Sequence, residues 1–331
     1  MILTKEQKEA IEYVKGPLLI IAGPGSGKTE VLSRKVAYLL NQGFNEEDLL
    51  ITTFSNRATD ELKTRIKKHT KKEVEKIQIS TIHSFCNTLI NDHIEKSEYN
   101  LGYKILEDIK QYFFVLSNLE ELGLKDMVLG NKDKLNSILS IFNKCTEELI
   151  QPEEYINYAQ KKLKEIKEST KGKDISHFFE NNLSYIGNDL DISLAFKKYQ
   201  ELLKKNNMID YSGLLAEANR LIQYDDVKLK LQNKYKYVLV DEYQDTNYIQ
   251  EVIISSIVEK HKRICVVGDD DQSIYRFRGA TVDNMLNFQN KYKSTKIIHL
   301  NKNFRSTKTI VEATSKLITN NKFHLKKKLM T

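Results

Sequence analysis

The sequence predicts an α/β fold: a parallel sheet with a phosphate-binding loop, interrupted by a mostly α-helical insertion. Three observations support this. The apolar run 18–22 is too short for a helix that packs alone and reads as a buried strand. A glycine-rich turn follows it, then Leu32, Val36, Leu39 and Leu40 at helical spacing. Similar short apolar runs recur at 49–54, 77–81, 237–240, 264–267 and 296–300, each leading into polar residues. Between about 88 and 207 that alternation stops, and Lys/Glu/Asn-rich helical patterns replace it.

The turn reads Ala22-Gly23-Pro24-Gly25-Ser26-Gly27-Lys28-Thr29, with Glu30 opening the helix. Strand, glycine-rich loop and helix form the context that a phosphate loop requires. Its glycines let backbone N–H groups converge on an anion without a Cβ in the way. The helix start adds unpaired N–H groups and the positive end of its dipole. Lys28 supplies a point charge for the β- and γ-phosphates, and Thr29 offers a hydroxyl to Mg²⁺. Ala22 stands where the usual pattern has its first glycine.

Bulk properties set wide bounds. A chain of 331 residues suggests about two domains. The net charge of +7 permits polyanion binding without proving it. Cys86, Cys145 and Cys265 are odd in number and far apart, which suggests neither a disulfide framework nor a zinc site. Cys145 falls among Leu135, Ile138, Leu139 and Phe142 at helical spacing and is expected in a core. No signal-peptide pattern and no run of membrane-spanning length stands out, so a cytoplasmic protein without a membrane partner is expected.

In chain order, Thr4 is placed to cap a first helix. Gln7, just upstream of the first strand, has an amide able to read an adenine edge, although taken alone a plain surface residue is the commoner reading. Strand 49–54 ends at Phe54, and Ser55 and Asn56 can cap a helix over 57–69. That helix has Ala58, Leu62 and Ile66 inside and a basic outer side. The basic side is either a solvated face or, with Phe54 and Asn56 at the strand's rim, a single-stranded nucleic-acid surface. His83 lies at the exit of strand 77–81 and has a structural or a functional reading. Helical patterns at 135–149 and 159–166 mark the insertion. The lysine run at 161–173 serves solubility or duplex contact, with nothing to choose between them.

Strand 237–240 ends in Asp241-Glu242-Tyr243-Gln244-Asp245. Two carboxylates at a strand end meet the needs of a nucleotide site: one holds Mg²⁺, the other orients or deprotonates the attacking water. Strand 264–267 exits into 268–279, where Gln272 can sense a γ-phosphate. Tyr275, Arg276, Phe277 and Arg278 interleave aromatic and cationic side chains, a pairing suited to bases and phosphates. Strand 296–300 leads to Asn303, Phe304 and Arg305, then to a helix over 308–320.

In this order, segments 3–7, 22–29, 53–57, 81–85, 241–247, 268–280 and 303–307 resemble the motifs of UvrD/Rep/PcrA-type superfamily 1 DNA helicases. The resemblance spans nearly the whole chain. It implies a RecA-like ATP-binding domain over 1–87 and 208–295, a helical insertion over 88–207, and an incomplete second RecA-like domain starting at 296. It implies ATP and Mg²⁺ as cofactors, with single-stranded DNA and a duplex junction as partners. Movement would run 3′ to 5′, beside DNA-repair or replication proteins of unknown identity. Gln7 would read adenine, Thr29 and Asp241 would hold the metal, and Glu242 would touch it while activating water. Gln272 would couple the γ-phosphate to the DNA track, Phe304 would lie against the base, and Arg305 would reach the γ-phosphate across a domain cleft. Phe54, Asn56, His83, Tyr275, Phe277 and Arg278 would face DNA.

Phe277 stands where the family usually has Trp, and Glu30 where relatives often carry Arg. The sequence also stops before the family's later motifs. For these residues alone the expectation is nucleotide binding, weak ATPase activity and no processive unwinding. A phosphate-loop switch acting on a protein partner and a non-catalytic DNA-binding relic are the alternatives.

Overall fold

Runs of Leu, Ile and Val with no polar alternation form the interior of a six-stranded sheet. In chain order the strands are β1 (Leu18–Ala22), β2 (Leu49–Thr53), β3 (Gln78–Thr81), β4 (Lys104–Leu106), β5 (Met208–Asp210), β6 (Tyr237–Val240), β7 (Ile264–Gly268) and β8 (Lys296–Leu300). The computed structural model describes residues 2–71, 74–128, 132–170, 177–274, 283–320, 327 and 330–331. Packing divides the chain into two compact units: residues 1–88 with 219–331, and residues 89–218.

In the first unit the strand order is β3-β2-β6-β7-β1-β8, with every pair parallel. Strands β1, β2, β6 and β7 are buried along their whole length, as continuous apolar runs between two covered faces require. β8, at the edge, is exposed at Lys296, buried at Ile298 and Leu300, and half-buried between. Because all six strands run the same way, the loops leaving them gather along one edge, where open α/β sheets bind ligands.

Helix α1 (Lys5–Glu12) starts on a capping box: Gln7 N donates to Thr4 Oγ1 at 3.2 Å, and Thr4 N to Gln7 Oε1 at 3.0 Å. Helix α2 (Lys28–Asn41) buries Val31, Leu32, Val36 and Leu39. Helix α3 (Asn56–Thr70) is capped by Ser55, whose hydroxyl accepts from Ala58 N at 3.2 Å. Helix α4 (Ile82–Asp92) leaves β3 without a loop. Lys35 of α2 is fully buried. Its ammonium donates to Ala10 O at 2.9 Å and to Tyr13 O, and sits 5.4 Å from the centre of the Tyr237 ring. Burial pushes this lysine down to about 8.

The second unit is mostly helical, as expected of the insertion. Its helices include Asp108–Ser117, Lys132–Glu147, Pro152–Thr170 and His177–Lys205. Leu135, Ile138, Phe142, Phe196 and Tyr199 make its core, and Phe142 stacks on Tyr199 at 5.2 Å. Cys145 is buried in that core. Gln111 and Tyr199 both donate to Asp210 Oδ2, at 3.0 and 2.6 Å. No helix among the described residues is long and apolar enough to cross a membrane.

Two expected boundaries move. Residues 208–210 pair as β5 with β4, so 208–218 pack with the helical unit rather than with the main sheet. Residues 296–300 pair with β1 over five positions, from Leu18↔Lys296 to Ala22↔Leu300. They complete the first sheet at its edge, where β1 offers a full set of backbone partners.

Candidate nucleotide-binding site

The turn after β1 is shaped by backbone needs. Gly25 has φ +70, and a Cβ there would stand 2.6 Å from Arg305 Cβ. A side chain at Gly25 is therefore excluded by conformation and by space. Gly27 is the N-cap of α2 and brings no side-chain oxygen to the helix's first turn. That turn can accept an anion instead. Ser26, almost fully buried, donates through its hydroxyl to Gly23 O at 2.7 Å and closes the loop on itself.

Two neighbours hold the loop from outside. Gln7 is buried and donates through Nε2 to Ser26 O at 3.0 Å, while its Oε1 serves the α1 capping box. Both ends of the amide expected to read adenine are thus bonded to the chain's own backbone. On the other side, Asn303 Nδ2 donates to Pro24 O at 2.7 Å and Phe304 N to Gly25 O at 2.8 Å. Asn303 Oδ1 in turn accepts from the backbone N–H groups of Arg305 and Ser306. Adjacent parallel strands end side by side, so the exit of β8 must lie against the exit of β1. Arg305, expected to approach from across a domain cleft, therefore packs beside the loop within the same unit. Phe304 is 39% exposed, with Lys302 Nζ 5.4 Å from its ring centre.

Facing this loop, the exit of β6 carries the acidic pair. Glu242 adopts the left-handed conformation, φ 48, sparsely populated for a non-glycine residue. Its Oε2 accepts from Lys28 Nζ at 2.7 Å and from Gln244 Nε2 at 2.9 Å. Asp241 is buried, and its Oδ1 accepts from Glu242 N at 3.0 Å. Burial pushes the Asp241 carboxyl up to about 7; the Glu242 charge adds to this, and Lys28 opposes it. Burial with Glu242 nearby likewise raises Asp245 to about 6. More negative charge gathers here than one lysine balances, and carboxylate oxygens are hard donors of the kind a divalent cation takes.

A cavity of about 50 Å³ adjoins the pair, lined by Thr52, Phe54, His83, Asp241, Glu242 and Asp245 among others. It is large enough for water. Thr52 Oγ1 and Asp245 Oδ1 are buried there without a hydrogen-bond partner among the described residues. The structure thus brings Phe54 and His83, proposed from sequence as nucleic-acid contacts, to the rim of the acidic pair. Phe54 is 42% exposed, and Asn56 is exposed in the first turn of α3. Burial pushes His83 down to about 4, so it brings a neutral ring and no charge at pH 7. Tyr275, Phe277 and Arg278 lie outside the described residues.

Glu30 takes a course of its own. Its carboxylate pairs with Arg34 at 2.6 Å, His69 at 3.3 Å and Arg65 at 3.5 Å. Burial works to raise its pKa, but Arg34 and His69 more than offset this and hold it below the usual range. The carboxylate thus joins α2 to α3.

Several residues of the site escaped sequence reasoning. Gln244 is almost fully buried and bridges the two strand exits: Nε2 bonds Glu242, while Oε1 accepts from Asp269 N at 3.0 Å. A Cβ on Gly268 would come within 2.7 Å of that Oε1, so glycine makes room for the bridge. Gln272 donates to Asp269 Oδ2. Asp269 and Asn303 were visible only as members of motif segments, without a role of their own.

A family model described as the UvrD/REP helicase N-terminal domain matches residues 3–293. The ATP-dependent DNA helicase PcrA of Bacillus subtilis (strain 168) is 33% identical over 331 residues, which cover 99% of this chain and 41% of that protein. The PcrA proteins of Staphylococcus epidermidis and Staphylococcus aureus are each 32% identical, with the same coverage. The chain therefore spans about two fifths of the length of these curated relatives.

Proposed function

The chain belongs to the UvrD/REP helicase N-terminal domain family, and on that premise we propose that it is the ATP-hydrolysing motor portion of a DNA helicase moving 3′ to 5′ on single-stranded DNA. The observation that carries this reading is the Lys28–Glu242 pair, with Asp241 beside it and Phe54 and His83 around the same cavity.

The loop 23–27 and the first turn of α2 bind the phosphates, with Lys28 on the β- and γ-phosphates. Thr29 and Asp241 would hold Mg²⁺, with Glu242 contacting it, and the bound metal would supply positive charge to offset the phosphates. Released from Lys28, Glu242 accepts a proton from the water that attacks the γ-phosphorus as the bond to the bridging oxygen breaks. Gln272 reports the γ-phosphate. Phe304 contacts the base and Arg305 the γ-phosphate as the site closes. Phe54, Asn56 and His83, with Tyr275, Phe277 and Arg278, form the single-strand track. The intact protein is expected to act in the cytoplasm, its second motor domain completing the cleft.

These 331 residues alone are expected to bind Mg-ATP, hydrolyse it weakly, respond to single-stranded DNA and unwind nothing processively. Titration with a fluorescent ATP analogue, and ATPase assays with and without an oligonucleotide, test this. Failure to bind ATP overturns the motor reading. ATPase indifferent to saturating single-stranded DNA points to a switch acting on protein, and vigorous unwinding overturns the expected deficiency.

A further inference from the structure

Three carboxylates outside the acidic pair converge on one ammonium group. Asp269, Asp270 and Asp271 carry oxygens all within 4.8 Å of one another, and the first two residues are buried. Lys327 Nζ contacts Asp269 Oδ1, Asp270 Oδ1 at 2.5 Å and Asp271 Oδ2 at 2.8 Å, with only 7% of its side chain exposed. The ammonium donates a hydrogen bond to Asp269 Oδ1 and forms ion pairs with Asp270 and Asp271, so its single positive charge is shared among the three carboxylates. Without it, three like charges would share a buried space, a costly arrangement.

Asp269 links this cluster to the nucleotide site twice. Its Oδ2 accepts from Gln272 Nε2, and its N–H donates to Gln244 Oε1. Gln244 continues to Glu242, which holds Lys28. The backbone near Lys327 is anchored as well: Met330 N donates to Asn301 O at 2.8 Å and Asn303 N to Met330 O at 2.7 Å. Asn303 is the residue that supports the loop at Pro24. Met330 thus touches the phosphate loop's support, and Lys327 the γ-phosphate sensor's support.

We propose that Lys327 is a positioning residue for ATP hydrolysis, holding Gln272 and the Gln244–Glu242 bridge in working geometry through Asp269. This rests on the motor reading above. Among the described residues, Lys327 contacts the three aspartates and not the phosphate loop, so its loss should spare binding and slow turnover.

The test compares the unaltered chain with Lys327→Arg, Lys327→Met and the double variant Lys327→Met/Asp270→Asn. The double variant removes one of the charges left unbalanced, which protects folding. Affinity for a fluorescent ATP analogue and single-turnover hydrolysis are measured in each. Both Met variants are expected to keep affinity within about threefold and lose turnover by about tenfold or more, while Arg restores turnover. Unchanged turnover in a folded Met variant overturns the proposal. So does equal loss of binding and turnover, or failure of both Met variants to fold, since each makes Lys327 merely structural. If the unaltered chain binds no ATP, the motor reading itself fails, a distinct result.

Discussion

Lys28 Nζ lies 2.7 Å from Glu242 Oε2, which bonds the group proposed to grip phosphate to the group proposed to activate water. Neither can act while they hold each other. In the proposed mechanism an arriving γ-phosphate would compete for the ammonium and thereby release the carboxylate. Glu242→Gln keeps the shape but removes the base. It is expected to bind ATP at least as tightly, because Lys28 loses a competing anion, and to lose about 10²–10⁴-fold in turnover. Parallel binding and single-turnover assays check this, and undiminished turnover would refute the role given to Glu242.

The position of Gln7 separates two ways of handling the base. Its amide is bonded to Ser26 O and to the α1 cap. If it acts by holding the loop, Gln7→Ala weakens ATP and GTP alike, by about 1 kcal/mol for one lost hydrogen bond. If it reads adenine, ATP alone suffers. Competition titrations with both nucleotides decide between them.

Gly25→Ala is expected to damage the phosphate loop, since it adds a Cβ at φ +70 that points into Arg305. The cost exceeds about 1 kcal/mol for an alanine forced into this conformation. Thermal unfolding should show a lower midpoint and nucleotide titration a weaker affinity. An alanine variant matching the unaltered chain in both would contradict the geometry.

Phe54 is exposed at the end of a buried strand, beside His83 and the acidic pair. Phe54→Ala should weaken single-stranded DNA binding by about 1–3 kcal/mol, the cost of losing one base stack. Fluorescence anisotropy with a labelled oligonucleotide measures it. Unchanged affinity would leave Phe54 out of the track.

Lys35 makes a stability prediction. Its folded-state pKa of about 8 lies below the ordinary lysine value. Between these values the unfolded chain binds more protons than the folded one, so this group's contribution to stability rises with pH. Urea denaturation at pH 7.5 and 9.5 should show the unaltered chain gaining on Lys35→Met as pH increases. A stability gap independent of pH would place the titration of Lys35 elsewhere.

Much of this was legible in the sequence because the information is local. Leu18–Ala22 followed by Gly25, Gly27 and Lys28 specifies strand, turn and helix within a dozen residues, and the apolar runs of β2, β6 and β7 announce buried parallel strands. Asp241 and Glu242 advertise their chemistry by standing at a strand end. Tertiary structure decided what depends on strand order and long-range pairing. Only the β1–β8 ladder, from Leu18↔Lys296 to Ala22↔Leu300, sets Asn303 and Arg305 beside the phosphate loop. Only folding brings Lys28 to Glu242, 214 positions away, and Lys327 to Asp269, 58 positions away. Backbone propensity and apolar patterning act over a few residues, whereas a salt bridge or a bridging amide forms wherever packing delivers its partners. The sequence by itself therefore determined that a glycine-rich loop of the phosphate-binding kind and an acidic strand end are present, and the tertiary structure alone determined which side chains hold them in place.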